Sequence, residues 1–132
     1  MKYLYYALFK QNSANQFEVT FPDLAPHAAT YGNNMSDALY MAHDALEGYL
    51  LTLEDFEENL PQPSDPQAIP HDRNDLIIPI EVDTQIARER EENISVKKTL
   101  SIPKYLNDLG NEKHINFSAT LADALKKKLG IS

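Results

Sequence analysis

The chain has 132 residues, the length of one ordinary domain or two small ones, and a net charge of −8. Its 42% hydrophobic and 24% charged residues are typical of a soluble globular protein, and no apolar run approaches the roughly 18–20 residues of a membrane span. The absence of cysteine excludes disulfides, a thiol nucleophile and thiolate metal sites, and it is compatible with the cytoplasmic location that we expect.

Charge is distributed unevenly along the chain. Residues 1–93 carry five basic and seventeen acidic side chains, a net charge of −12. Residues 94–132 carry seven lysines and three acids, a net charge of +4. This division favours an acidic part that binds a basic partner and a basic part that binds nucleic acid, against the alternative that surface charge has drifted at random.

The first elements predict a small sheet. Lys2–Lys10 is rich in Tyr, Leu and Phe, and Phe17–Phe21 alternates apolar and polar residues, so the two segments form a hairpin. Pro22 ends the second strand because it has no N–H to donate. A third short strand is expected at Ala28–Tyr31, ended by Gly32.

A long amphipathic helix follows, with Ser36 as the expected N-cap and an end before Pro61. Its other surface is strongly acidic. Its apolar stripe is predicted to contain Ala38, Met41, Ala42, Ala45, Tyr49 and Leu53.

The middle of the chain contains a connector and one more strand. Residues 61–70 include four prolines and predict an extended connector. Leu76–Val82 predicts a strand that Pro79 confines to an edge or bulged position. Asp83–Arg90 is compatible with a short charged helix. We therefore expect a first domain over residues 1–83, a linker over 84–93 and a second domain over 94–132.

The C-terminal part reads as one strand and two helices. The strand is expected at Val96–Ile102, the first helix at Pro103–Leu109 and a turn at Gly110–His114. A second helix is capped by Asn116 or Ser118 and runs to about Leu129.

This part is too small to fold by itself, since chains of about 40 residues rarely do so without a metal, a disulfide or a partner. A lone strand also leaves a row of backbone groups unpaired. Two chains that pair their strands and interdigitate their helices solve both problems, and the resulting two-stranded ribbon fits the major groove of DNA.

Residues 97–131 resemble a ribbon-helix-helix DNA-binding domain, through the alternating strand ended by Ile-Pro, the Tyr-Leu of the first helix and the Ile-Asn-Phe-Ser before the last helix. The resemblance implies base contacts from Lys97, Thr99 and Ser101. It also implies a phosphate held at the start of the last helix by Asn116, Phe117 and Ser118, where unpaired N–H groups attract anions. The expected dimer contacts are Leu100, Ile102, Leu121 and Leu125.

The N-terminal part resembles the HicB family of antitoxins over roughly residues 3–58. The motifs are FPDL at 21–24, Tyr31-Gly32, and MSDALYMAHDALEGYL at 35–50. The resemblance implies a partial RNase H-like layer without a catalytic centre, which blocks HicA, a small basic ribonuclease. It also implies repression of the pair's own operon.

A basic toxin provides a counter-charge for the acidic helix. We therefore select Asp23, Asp44, Glu47 and Glu54 as candidate toxin contacts. Apolar contacts are expected from whichever aromatic residues of the first strand face outward: Tyr3, Tyr5, Tyr6 or Phe9.

The sequence thus predicts an α+β fold, with a small sheet and one long helix followed by a ribbon-helix-helix domain. The predicted protein is a homodimeric antitoxin that binds a HicA-like toxin and operator DNA, forms a heterotetramer or larger assembly, and contacts no membrane. No catalytic residue, metal or cofactor is expected. The alternatives are a stand-alone ribbon-helix-helix regulator with a ligand-sensing N-terminal domain, and a nuclease with an RNase H-like centre.

Overall fold

The structure is a computed structural model that describes residues 1–131. These residues separate into two units, Met1–Ile94 and a second unit that begins at Ser95. The first unit contains the sheet and the long helix, and the second contains two short helices. The architecture is α+β, as predicted.

Four antiparallel strands form the sheet of the first unit. They are β1 (Lys2–Gln11), β2 (Phe17–Thr20), β3 (Thr30–Gly32) and β4 (Leu76–Asp83), in the spatial order β3-β2-β1-β4. Both β3 and β4 are therefore edge strands, and of the two positions expected for β4, edge or bulged, the structure has the edge.

The hairpin and the third strand differ slightly from expectation. Asn12 closes the hairpin turn, because its side-chain oxygen accepts the amides of Ala14 and Gln16, each at 3.0 Å. The third strand starts at Thr30 instead of Ala28, since Ala28 has a φ of 62°, a left-handed conformation that no strand residue adopts.

The long helix α1 spans Met35–Asp55 and begins two residues earlier than a Ser36 cap would place it. The N-cap is Asn34, whose side chain accepts the amide of Asp37 at 2.8 Å, and the Asp37 carboxylate accepts the amide of Asn33 at 2.9 Å. This pair satisfies one of the amides that a helix start leaves unbonded, that of Asp37, and the amide of Asn33 just before the cap.

The core lies between α1 and one face of the sheet. Ala38 and Ala42 are buried as predicted, and Leu46 and Leu50 complete the stripe. The other predicted members are half-buried: Met41, Ala45, Tyr49 and Leu53. The sheet contributes Tyr5, Ala7, Phe9, Val19, Ile80 and Val82. The helix lies so close to β3 that a side chain at Gly32 would collide with the backbone of Ala38.

A short helix, α2 (Thr84–Glu92), occupies the segment that we expected to be a linker. The predicted charged helix is present, but it belongs to the first unit and is packed against it. Thr84 and Ala87 are buried, and Arg88 donates to Glu54 at 3.2 Å. The helix ends at Asn93, which has a left-handed φ of 52°.

The second unit contains α3 (Lys104–Glu112) and α4 (Phe117–Leu129), the latter capped by Asn116. Residues 94–103 form neither a helix nor a paired strand, because a strand ladder needs a second strand to pair with. Gly110 was expected in a turn but lies inside α3, where its missing side chain makes room for the ring of Phe117. Among the described residues, no helix combines the length and apolar character needed to cross a membrane.

Candidate binding surfaces

Glu54 lies near the end of α1 and accepts hydrogen bonds from two other elements, β1 and α2. Its carboxylate accepts hydrogen bonds from Tyr3 Oη at 2.7 Å, Thr84 Oγ1 at 2.9 Å and Arg88 Nη2 at 3.2 Å. Burial alone would raise the pKa of Glu54, but these hydrogen bonds outweigh it and hold the pKa below its ordinary value. The bond to Glu54, with burial, raises the pKa of Tyr3 to about 12. Glu54 therefore ties β1, α1 and α2 together.

Asp23 also has an internal role. It follows β2 in a short 3-10 turn, and its carboxylate accepts hydrogen bonds from the amide and the hydroxyl of Ser64. Tyr5 Oη donates to the carbonyl of Pro61 at 2.6 Å on the same connector. Asp23 and Tyr5 thus fix the first part of the proline-rich connector to the sheet.

The two remaining acidic candidates lie on α1. Glu47 forms an ion pair with Arg90 of α2, lies 3.7 Å from His43 Nδ1, and leaves only 12% of its side chain exposed. Asp44 is exposed and has no intramolecular ion pair or side-chain hydrogen bond among residues 1–131. Only Asp44 of the four candidates therefore presents an unengaged carboxylate.

The aromatic residues of β1 divide between the two faces of the sheet. Tyr5 and Phe9 belong to the core and Tyr3 packs against it. Tyr6 stands opposite Pro79 in the register with β4 and therefore points to the face away from α1. Of the four aromatic candidates in β1, Tyr6 therefore faces outward, whereas Tyr3, Tyr5 and Phe9 do not.

The connector reaches the outer face on the β1–β4 side. Lys10 points to this face, and its Nζ lies 3.5 Å from carboxylate oxygens of both Asp72 and Asp75. Ile69 of the connector is 4% exposed although it is not part of the core under α1. The chain itself therefore occupies part of the outer face near β1 and β4.

The β2–β3 side of the outer face is open and forms a groove, the β2–β3 groove. It is a cavity of about 590 Å³ lined by Glu18, Thr20 and Tyr31, with Asn12 and Gln16 at the hairpin end. Glu18 stands opposite Tyr31 in the strand register, and Tyr31 is 60% exposed. No connector residue lines this groove.

No cluster of three or more His, Asp or Glu side chains suited to a metal ion occurs within residues 1–131. An RNase H-like nuclease centre would need acidic side chains that converge on a metal ion, and Asp23 lies in a 3-10 turn whereas Asp37 and Asp44 lie on α1.

The second unit leaves its apolar side chains uncovered. Phe117, Leu121, Leu125 and Leu129 recur every four residues and form one stripe along α4, and each is between 38% and 69% exposed. Leu100 and Ile102, ahead of α3, are 53% and 50% exposed. Gly110 is the only buried residue from Ser95 to Ile131. A single copy of this unit therefore has no hydrophobic core.

The candidate DNA contacts all lie on exposed parts of the second unit. Lys97, Thr99 and Ser101 are in the unpaired segment 94–103. The Asn116 side chain accepts the amide of Ala119 at 3.0 Å, so Asn116 is the cap of the two that the sequence left open. The Phe117 ring packs beside Gly110, so this residue would contact a phosphate through its backbone alone.

Comparison with known proteins covers both units. Residues 5–125 match the model of a family described as the HicB-like antitoxin of bacterial toxin–antitoxin systems. The chain belongs to the HicB-like antitoxin family. No curated protein sequence matches it.

Two solved structures resemble this HicB-like chain along almost its whole length. A chain of a toxin–antitoxin complex from Streptococcus pneumoniae is 32% identical, with 97% of this chain and 99% of that chain covered and a TM-score of 0.59. The antitoxin HicB of Burkholderia pseudomallei is 19% identical, with 96% and 98% covered and a TM-score of 0.55, a likeness of fold. The HicB resemblance read from the N-terminal motifs is confirmed at the level of the family.

Sequence reasoning about this HicB-like chain overlooked the β2–β3 groove. Glu18 and Tyr31 are 13 positions apart, and only the register of β2 with β3 brings them together. The alternation of Phe17, Val19 and Phe21 predicts that Glu18 lies on the face away from the core. It does not predict which residue of another strand lies beside Glu18.

Proposed function

We propose that this HicB-like chain neutralises a small basic HicA-like ribonuclease and represses its own operon. The observation that carries the proposal is the family match, which extends from the first strand to α4 and so includes both units. The chain of the Streptococcus pneumoniae toxin–antitoxin complex supports it, since that chain is similar over both units.

The first unit acts by masking the toxin. Its charge of −12 attracts a protein that must itself attract RNA, and apolar contacts then hold the complex together. The bound unit covers the RNA-binding surface of the toxin, so inhibition is steric and needs no cofactor.

The four acidic candidates contribute in two ways. Asp44 has an exposed and unengaged carboxylate, and it assists the encounter with the toxin. Asp23, Glu47 and Glu54 act indirectly, because their carboxylates hold the connector and α2 in place. Glu54→Lys would destabilise the first unit, so a loss of toxin binding in this variant would reflect the loss of the fold.

The second unit forms a homodimeric ribbon-helix-helix domain. The exposed stripe of α4 and the absence of a core in one copy support this, because pairing two copies buries Leu100, Ile102, Leu121 and Leu125. The paired 96–102 strands then present Lys97, Thr99 and Ser101 to the major groove, and the start of α4 holds a phosphate. In this division of function, residues 1–94 bind toxin in the cytoplasm and the residues from 95 onward bind operator DNA.

The direct test is inhibition of RNA cleavage. The protein encoded by the gene next to this one is purified and mixed with a labelled mRNA, with and without an equimolar amount of the full chain. We expect cleavage by the neighbour alone and its loss when the chain is added. A neighbour that is not a basic ribonuclease, or cleavage that persists at a tenfold excess of the chain, would favour a stand-alone regulator with a ligand-sensing N-terminal domain.

A further inference from the structure

Lys10 pairs with residues other than its cross-strand neighbour Glu18, and the carboxylate of Glu18 is left unpaired in the β2–β3 groove. In the register, Lys10 of β1 stands opposite Glu18 of β2, where opposite charges would normally pair. Its Nζ instead lies 3.5 Å from both Asp72 and Asp75, which lie between the connector and β4. Glu18 therefore has no ion pair or side-chain hydrogen bond among the described residues.

The groove adds an aromatic ring to this carboxylate. Tyr31 is the direct neighbour of Glu18 on β3 and is 60% exposed, and its hydroxyl has no hydrogen-bond partner within residues 1–131. A carboxylate beside an aromatic face binds a guanidinium or an ammonium group, because the ion pair and the cation–π attraction act on the same charge. Thr20 continues the floor of the groove toward Leu8.

Most cations of the first unit are paired with carboxylates outside this groove. Four of its five basic side chains, Lys2, Lys10, Arg88 and Arg90, already lie within 4.0 Å of carboxylates. The connector covers the opposite side of the outer face, whereas the groove of about 590 Å³ is open to solvent. A partner of opposite charge is thus the occupant that the groove fits.

We propose that the β2–β3 groove receives a basic side chain of the toxin, with Glu18 as its ion-pair partner and Tyr31 as its stacking surface. The proposal rests on the proposed function and specifies which surface of the first unit is buried against the toxin. The edge of β4 is less suited to this contact, since Pro79 removes a donor from the middle of that edge.

Binding kinetics of charge-matched variants test the groove. Glu18→Lys and Glu58→Lys make the same charge change, and Glu58 is an exposed residue just beyond α1 without a side-chain partner among the described residues. Against the protein encoded by the neighbouring gene, we expect Glu18→Lys to weaken binding about 10-fold or more, mainly through faster dissociation. Glu58→Lys should stay within about threefold of the wild type and act on association alone. Tyr31→Ala should also raise the dissociation rate.

Thiol footprinting is a second measurement, and it does not depend on a variant that weakens binding to the partner. Because the chain has no cysteine, Thr20→Cys and Glu58→Cys each introduce a single thiol in this protein. We expect the partner to slow alkylation of the Thr20→Cys thiol at least about 10-fold and to leave the Glu58→Cys thiol unchanged.

Each outcome has a distinct meaning. If the wild type does not bind the neighbour's product at all, the proposed function fails and the groove assignment fails with it. If the wild type binds but Glu18→Lys binds equally well and the Thr20→Cys thiol stays reactive, only the groove assignment is overturned. Protection of that thiol without the partner, rising with protein concentration, would overturn it in favour of a second copy of this chain.

Discussion

Among single residues, Glu54 shows how an acidic side chain on a helix surface can serve the fold. Its position in the acidic stretch of α1 suggested a contact with a partner, yet Tyr3, Thr84 and Arg88 all donate to its carboxylate. The three donors lie 51, 30 and 34 positions away in the chain, so no local pattern could reveal them. The same limit applies to Asp23 and Glu47.

Replacing Glu54 with Gln should destabilise the first unit in a pH-dependent way. The folded protein holds the pKa of Glu54 below 4.5, so its charge stabilises the fold above that pH and the contribution is lost as the pH falls through the folded pKa. At pH 7 we expect a loss of about 2 kcal/mol, the usual size for hydrogen bonds to a charged group.

Thermal unfolding of wild type and variant between pH 7 and pH 3 measures this effect. The gap in Tm should narrow as the pH drops below 4.5, and Glu58→Gln, made at an exposed residue, should leave the curve unchanged. A difference in Tm between wild type and Glu54→Gln that stays constant from pH 7 to pH 3 would show that Glu54 stabilises the fold through its shape and not through its charge.

At the scale of elements, the sequence predicts the features that depend on neighbouring residues and misses those that depend on residues far away in the chain. The strands β1, β2 and β4 were predicted from alternation and aromatic content, and α1 from its 3.6-residue period. The Asn34 cap was missed because Ser36 is an equally good cap by residue type, and the choice depends on where the chain leaves β3. The packing of α2 was missed because Arg88 finds its partners, Leu51 and Glu54, on α1, far away in sequence.

The segment 94–103 gives a prediction about DNA readout. If it becomes a ribbon strand on pairing, Lys97, Thr99 and Ser101 share the outward face, and Leu100 and Ile102 share the inward face. Lys97→Ala or Thr99→Ala should then cost about 1–3 kcal/mol per lost base contact and relax specificity at one operator position per half-site. Ser118→Ala should weaken binding to all sequences alike.

Electrophoretic mobility shifts over a panel of operator variants measure both effects. With roughly 4–6 phosphate contacts per dimer, log K should fall with log[salt] at a slope of about −4 to −5. Loss of binding in Lys126→Ala and Lys127→Ala, with Lys97→Ala and Thr99→Ala unaffected, would show that α4 enters the groove instead of the ribbon.

At the scale of the whole molecule, the two units differ in how they are stabilised. The first has a core of its own between α1 and the sheet, whereas the second has one buried residue, a glycine, among its described residues. Burying the α4 stripe against a second copy would contribute about 25 cal/mol per Å² of apolar surface. The sequence predicts this pairing from the small size of the second unit and from its lone strand, and the exposure of Leu121 and Leu125 agrees with that prediction.

We propose that this chain joins a first unit that binds toxin to a second unit that dimerises. The mass of the complex with the neighbour-encoded protein, measured by light scattering for the wild type and for Leu121→Lys/Leu125→Lys, tests it most directly. We expect a dimer of the full chain with one partner bound to each copy, and a one-to-one complex for the variant. A wild-type chain that remains a monomer at micromolar concentration, or a variant that loses the partner together with dimerisation, would contradict the account.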